Sequence, residues 1–155
     1  MFPTTGKGNF QEYVFGFNGQ KPFVTGGHIF FTTAGPKAIS PAVAREENPQ
    51  VMVSQLRVGD VLYQLDDKNG KSGYAKVPIE SFTVERAPCD FVYGLHFAQG
   101  SHGGARYHAN GYLVAANYPE ITLKRFEDRL RSLPVREQRS SVDAVSPIHY
   151  CKENI

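Results

Sequence analysis

As far as about residue 117, apolar positions fall in short alternating runs rich in Val, Ile, Phe and Tyr, and each run ends on Gly, Pro, Asn or Asp. A period of two with such punctuation predicts a series of short β-strands. The runs place them at Tyr13 to Phe17, Phe23 to Thr25, His28 to Thr33, Lys37 to Ile39, Val61 to Leu65, Ala75 to Val84, Phe91 to Phe97, Arg106 to Ala109 and Tyr112 to Ala115. Asn110 and Gly111 separate the last two, and both tolerate the positive φ that a two-residue hairpin turn requires. Asp66 to Lys71 is a second, polar turn. The alternation breaks between Ser40 and Gln55. There Pro41 to Pro49 predicts one short helix, with Ser40 at the N-cap, Pro41 in the first helical position and Pro49 as the stop.

Beyond Asn117 the period changes. Leu123, Phe126, Leu130 and Leu133 form one apolar stripe at helical spacing, with Lys124, Arg125, Glu127, Asp128, Arg129 and Arg131 on the other side. Asn117 with Glu120 reads as a variant capping box, which makes Asn117 the expected N-cap, and Pro134 ends the run. Residues 135 to 155 lack periodicity and predict an extended tail or a second short helix. The expected organisation is an N-terminal arm over residues 1–11, a β domain over 12–118, and a C-terminal amphipathic helix and tail over 119–155.

Composition adds limits. A chain of 155 residues, 41% hydrophobic and 12% aromatic, can bury one core. Its formal charge of +2 comes from both signs mixed along the chain, so neither nucleic acid nor a charged membrane is an expected partner. No apolar run approaches the roughly 18 to 20 residues that span a bilayer, and the first residues lack a signal-peptide core. The two cysteines, Cys89 and Cys151, are too far apart for a metal knuckle and too few for a disulfide scaffold, so redox compartment and localisation stay open.

Four blocks carry the candidate chemistry. They are Thr25-Gly26-Gly27-His28 at the head of an apolar run, Leu56-Arg57-Val58-Gly59-Asp60, Val92-Tyr93-Gly94-Leu95, and Tyr107 through Val114 around Ala109-Asn110-Gly111. In this order and at these distances the chain resembles the Hint module, the self-processing domain of hedgehog C-terminal regions and inteins, over about residues 12 to 118. The resemblance implies an all-β, compact Hint-like fold of short strands. It also implies protein autoprocessing, or autocatalytic cleavage, in which a backbone amide becomes an ester or thioester. Thr25 and His28 match the family's Thr-x-x-His positions, where the hydroxyl orients the scissile amide and the imidazole supplies a proton to the departing nitrogen. Asp60 matches the Leu-x-x-Gly-Asp turn and is the third catalytic candidate. Two structural roles stand beside these: His28 closing a glycine turn among Phe30 and Phe31, and Asp60 forming a turn with Gly59.

The chain departs from the family pattern at both ends. Met1 to Val24 contain no cysteine and do not supply the usual first segment, so the nucleophile is expected from the chain's own upstream polypeptide or a complementary N-terminal fragment, with no cofactor. Aligned through Ala109-Asn110-Gly111, the positions of the family's last histidine and asparagine hold Ala115 and Ala116, so protein splicing proper is not expected. A module that is a fragment or a degenerate copy, inactive in isolation, follows. Two other readings remain. One is a zinc site built from His96, His102 and His108 with Cys89 nearby. The other is a non-catalytic binding or linker module of a larger multidomain protein that uses Phe15, Phe17, Phe23, Phe30 and Phe31 as a surface.

Overall fold

An aromatic core joins two sheets, and the chain, which enters the smaller one first through β2 and β3, returns to it by turning a corner after Pro78. The computed structural model describes residues 2–3, 13–67, 73–87, 93–94, 105–117 and positions 124, 127, 128, 131, 132 and 134. In chain order the elements are β1 (Phe2–Pro3), β2 (Tyr13–Phe17), β3 (Val24–Thr25), β4 (Phe30–Thr32), β5 (Gly35–Ala38), α1 (Pro41–Glu47), β6 (Ser54–Gln55), β7 (Val61–Asp66), β8 (Gly73–Pro78), β9 (Phe82–Arg86), β10 (Tyr93–Gly94), β11 (Arg106–Ala109) and β12 (Tyr112–Ala115). The described chain is all-β with one short helix.

The large sheet runs β11-β12-β7-β4-β5-β6, with β8 added on β7, and the small sheet is β3-β2-β9. β1 pairs separately with β10. All pairings are antiparallel except β5 with β6. β12 is shared: Tyr112 lies opposite Gln64 of β7, and Val114 opposite Phe30 of β4. The β11 to β12 hairpin closes on Asn110 and Gly111 at φ 49° and 82°, as their sequence predicts.

The expected continuous strand from Ala75 to Val84 is instead two strands. Pro78 cannot donate to a ladder, and the chain switches sheets between Ile79 and Ser81. Asn18 fixes the corner. Its Oδ1 accepts the N–H groups of Glu80 at 2.8 Å and Ser81 at 3.3 Å, while its Nδ2 donates to the Pro78 carbonyl at 2.9 Å. Ile79 then enters the core and bonds back to Asp60, its N–H donating to the Asp60 carbonyl at 2.8 Å.

Phe17 occupies the centre, fully buried, and its ring meets those of Phe23, Phe30, Phe82 and Tyr112 edge-on at 5.1 to 5.8 Å. Such edge-to-face pairs add to the area they bury. Phe30 is buried as well, Phe15 and Phe23 pack against the same cluster, and Phe31 lies beneath the Arg106 guanidinium at 4.2 Å. Of the five phenylalanines proposed as a recognition surface, Phe17 and Phe30 are buried, and Phe15, Phe23 and Phe31 are partly buried against partners within the chain. A second cluster of Ile29, Ala38, Ala44 and Val53 seats α1 on the large sheet.

α1 begins and ends as predicted. Pro41 stands in the first turn after Ser40, although Ser40 makes no side-chain cap bond, and Asn48 ends the helix just before Pro49. Lys124, Glu127, Asp128, Arg131 and Ser132 are helical and exposed, which matches the polar side expected of the C-terminal helix. Its apolar stripe at 123, 126, 130 and 133 lies outside the described side chains.

Truncating Phe17 to Ala should cost about 3–5 kcal/mol, because four rings lose their shared partner. Val84→Ala, at a position 52% exposed, should stay within about 0.5 kcal/mol. Urea denaturation with unchanged slope checks both.

Candidate active site

The Thr25 to His28 turn lies where β3 hands the chain to β4. The Thr25 carbonyl accepts the His28 N–H at 3.3 Å, which closes the turn, and Thr25 Oγ1 lies 3.0 Å from His28 Nδ1. The two side chains that the resemblance points to therefore converge. Which of them donates depends on the ring tautomer. His28 Nε2 has no hydrogen-bond partner among the described residues.

Two elements enclose this turn. From one side comes α1: the Ser40 N–H donates to the Gly26 carbonyl at 2.7 Å, and Val43 Cγ1 stands 2.9 Å from where a Cβ on Gly27 would sit. Glycine is required at 27 for space. The other side is the end of β12, where the Ala115 N–H donates to the Ile29 carbonyl at 2.9 Å. Enclosure strips water from the imidazole although part of its surface remains accessible. The loss of hydration pushes the His28 pKa from 6.5 down to about 4, against a smaller upward pull from a hydrogen bond to the Thr25 backbone. At neutral pH the ring is uncharged.

Asp60 is not joined to this pair by any hydrogen bond. Its Oδ1 holds the Lys37 ammonium at 2.5 Å and its Oδ2 accepts the Arg57 N–H at 2.7 Å, across the turn that contains Gly59 at φ 94°. Lys37 lies opposite Phe30 on β4, so the ion pair ties the Asp60 turn to the strand that leaves the Thr25 and His28 turn. Its observed contacts are those of a turn former.

Asn117 bridges α1 and the end of β12: its Oδ1 accepts from Asn48 Nδ2 at 3.1 Å and its Nδ2 donates to Glu47 Oε2 at 3.3 Å, while the helix start it was expected to cap lies outside the described residues. Glu47 in turn lies 3.6 Å from the position of a Gly27 Cβ. It also raises the pKa of Tyr107, after the larger effect of burial. Neither Glu47 nor Asn48 was foreseen, since both sit in an unremarkable helix end whose importance comes from what it packs against. Their only sequence signal was the Asn-Pro step that stops α1.

Of the proposed zinc ligands, His96 and His102 lie outside the described residues, as does Cys89. His108 is exposed on β11, with its Nε2 2.9 Å from the Tyr74 hydroxyl. No group of three or more potential metal ligands occurs among the described residues.

Comparison with protein families, with characterised proteins and with solved structures returned no match. The functional reading therefore stands on the geometry and on the resemblance of the four blocks.

Because the unfolded chain protonates His28 near 6.5 and the folded chain only near 4, stability is fully retained above pH 6.5 and falls progressively as pH drops from 6.5 toward 4. Relative to His28→Asn, the wild type should lose roughly 2–3 kcal/mol between pH 7 and pH 4, the figure being reduced for the ring's partial exposure. Denaturation midpoints measured across that range check it. Gly27→Ala should cost about 1–3 kcal/mol, because the stiff Val43 side chain must move. Thermal or urea unfolding of that variant is the measurement.

Proposed function

We propose that this chain carries a Hint-type protein self-processing, or autoproteolytic, module in which Thr25 and His28 act on a peptide bond presented by an upstream segment of the same polypeptide or by a complementary fragment. The supporting observation is the 3.0 Å approach of Thr25 Oγ1 to His28 Nδ1, in an enclosed turn that keeps a second ring nitrogen unpartnered among the described residues. Spacing alone permits many arrangements; this one puts a hydroxyl and an imidazole on a single small feature.

The reaction follows from those groups. A Cys or Ser nucleophile supplied with the upstream segment adds through Sγ or Oγ to the preceding carbonyl carbon, forming a thioester or ester as the C–N bond breaks. Its proton must reach the departing nitrogen. A ring whose burial disfavours the charged form holds a proton briefly and gives it up readily, which suits transfer to an amine far more basic than itself. The Thr25 hydroxyl orients either the ring or the scissile carbonyl. The all-β scaffold, the shared β12 and the glycine hairpin of the fourth block agree with a Hint-like fold.

The direct test restores the natural upstream sequence and follows cleavage by gel and mass spectrometry. Time-dependent release, accelerated by thiols if a thioester forms, is the expected result. Thr25→Val and His28→Gln should each slow it by about 10²–10⁴-fold while the fold survives. Asp60→Asn should act through stability, shifting the unfolding midpoint more than the cleavage rate. An upstream-extended chain that stays intact under these conditions, or one that cleaves equally well as His28→Gln, rejects the reading.

A further inference from the structure

We propose that Glu47 and Asn117 are positioning residues of the Thr25 and His28 site, forming with Asn48 a polar latch that holds the outgoing end of β12 against the turn. The inference rests on the self-processing reading for its purpose, though its geometry stands apart from it.

The latch has one possible polarity. A carboxylate only accepts, so Glu47 Oε2 requires the amide nitrogen of Asn117, at 3.3 Å. Asn117 must then turn its oxygen to Asn48, whose Nδ2 donates to it at 3.1 Å and also points at the Ala44 carbonyl at 3.4 Å. That leaves Asn48 Oδ1 buried with no partner among the described residues, in a residue only 1% exposed. An unpaired buried acceptor costs roughly 1–3 kcal/mol. Stability by itself would favour an apolar side chain at 48, so the arrangement is accounted for by what it orients.

What it orients is the site's enclosure. Glu47 ends α1 beside Gly27, and Asn117 is the second residue after β12. Joining them clamps α1 and β12 on either side of the turn, where the Ser40 to Gly26 and Ala115 to Ile29 backbone bonds already hold it. The Glu47 charge also acts on Tyr107 of β11, and its Oε2 lies 3.6 Å from the position of a Gly27 Cβ, one residue before His28. Opening the latch admits water to the imidazole.

The experiment is an NMR titration of the His28 ring in the 155-residue chain. Asn117→Ala keeps the Glu47 charge and removes the bridge, so the ring pKa should climb from about 4 toward 6.5, at least tenfold in protonation constant. Asn117→Asp should do the same, because two carboxylates then face each other. Glu47→Gln retains an acceptor and should stay near 4. The exchange pair Glu47→Gln with Asn117→Asp should restore the wild-type value, since Gln now donates and Asp accepts from both neighbours. Phe82→Leu, a destabilising change on the other sheet, should leave His28 where it was. If Asn117→Ala fails to fold, Asn117→Ser serves, being too short to span both partners. A folded Asn117→Ala or Asn117→Ser in which His28 still titrates near 4 overturns the latch whatever the cleavage assay returns. A raised value in a chain that never processes its upstream junction keeps the latch and removes the function assigned above.

Discussion

The close passage of α1 over the Gly26 and Gly27 turn is the constraint on which the site depends. With Val43 Cγ1 2.9 Å from where a Gly27 Cβ would sit, a side chain at 27 would have to displace Val43. That proximity brings Thr25 and His28 onto a short arc, shields the ring from water, and carries the helix end to the tail of β12. Loosen it and the hydrogen bond, the depressed pKa and the amide bridge all lose their support together.

The wider fold supplies the anvil. β4 receives the chain from the turn and is held by β5, β7 and β12, with Phe30 buried against Phe17 and Tyr112. The Asp60 and Lys37 pair braces β5 where it runs beside Phe30, the first residue of β4. Partly buried ion pairs of this kind hold register more reliably than they add stability. Mobility of the turn is thereby restricted on three sides, which is what a reaction needing fixed geometry demands.

Polar groups are placed at odds with stability in two positions, and both adjoin the turn. The His28 ring gives up hydration, and Asn48 Oδ1 gives up a partner. Elsewhere the described interior is mostly aromatic and aliphatic, and buried Thr32 is satisfied, its hydroxyl donating to the Gly35 carbonyl and accepting the Ala34 N–H.

Local signals fixed a good part of this in advance. The limits of β2, β11 and β12, the Asn110-Gly111 turn and the Pro41 start of α1 follow from φ preferences and side-chain alternation, which act within a few residues. Thr25 and His28 were legible for the same reason, being three residues apart with a turn between them. The break at Pro78 to Ser81 was missed because an apolar run reads alike whether it continues straight or changes sheets; only Asn18, some sixty residues earlier in the chain, settles it. The contacts of Asn117 with Glu47 and Asn48 were out of reach of local reading because those partners are distant in sequence and become neighbours only when α1 and the end of β12 come together. Composition and period determine which segments are strands and which is helix, since those are backbone choices; which side chains meet, and which lose their water, is decided by the packing of elements that the sequence leaves far apart.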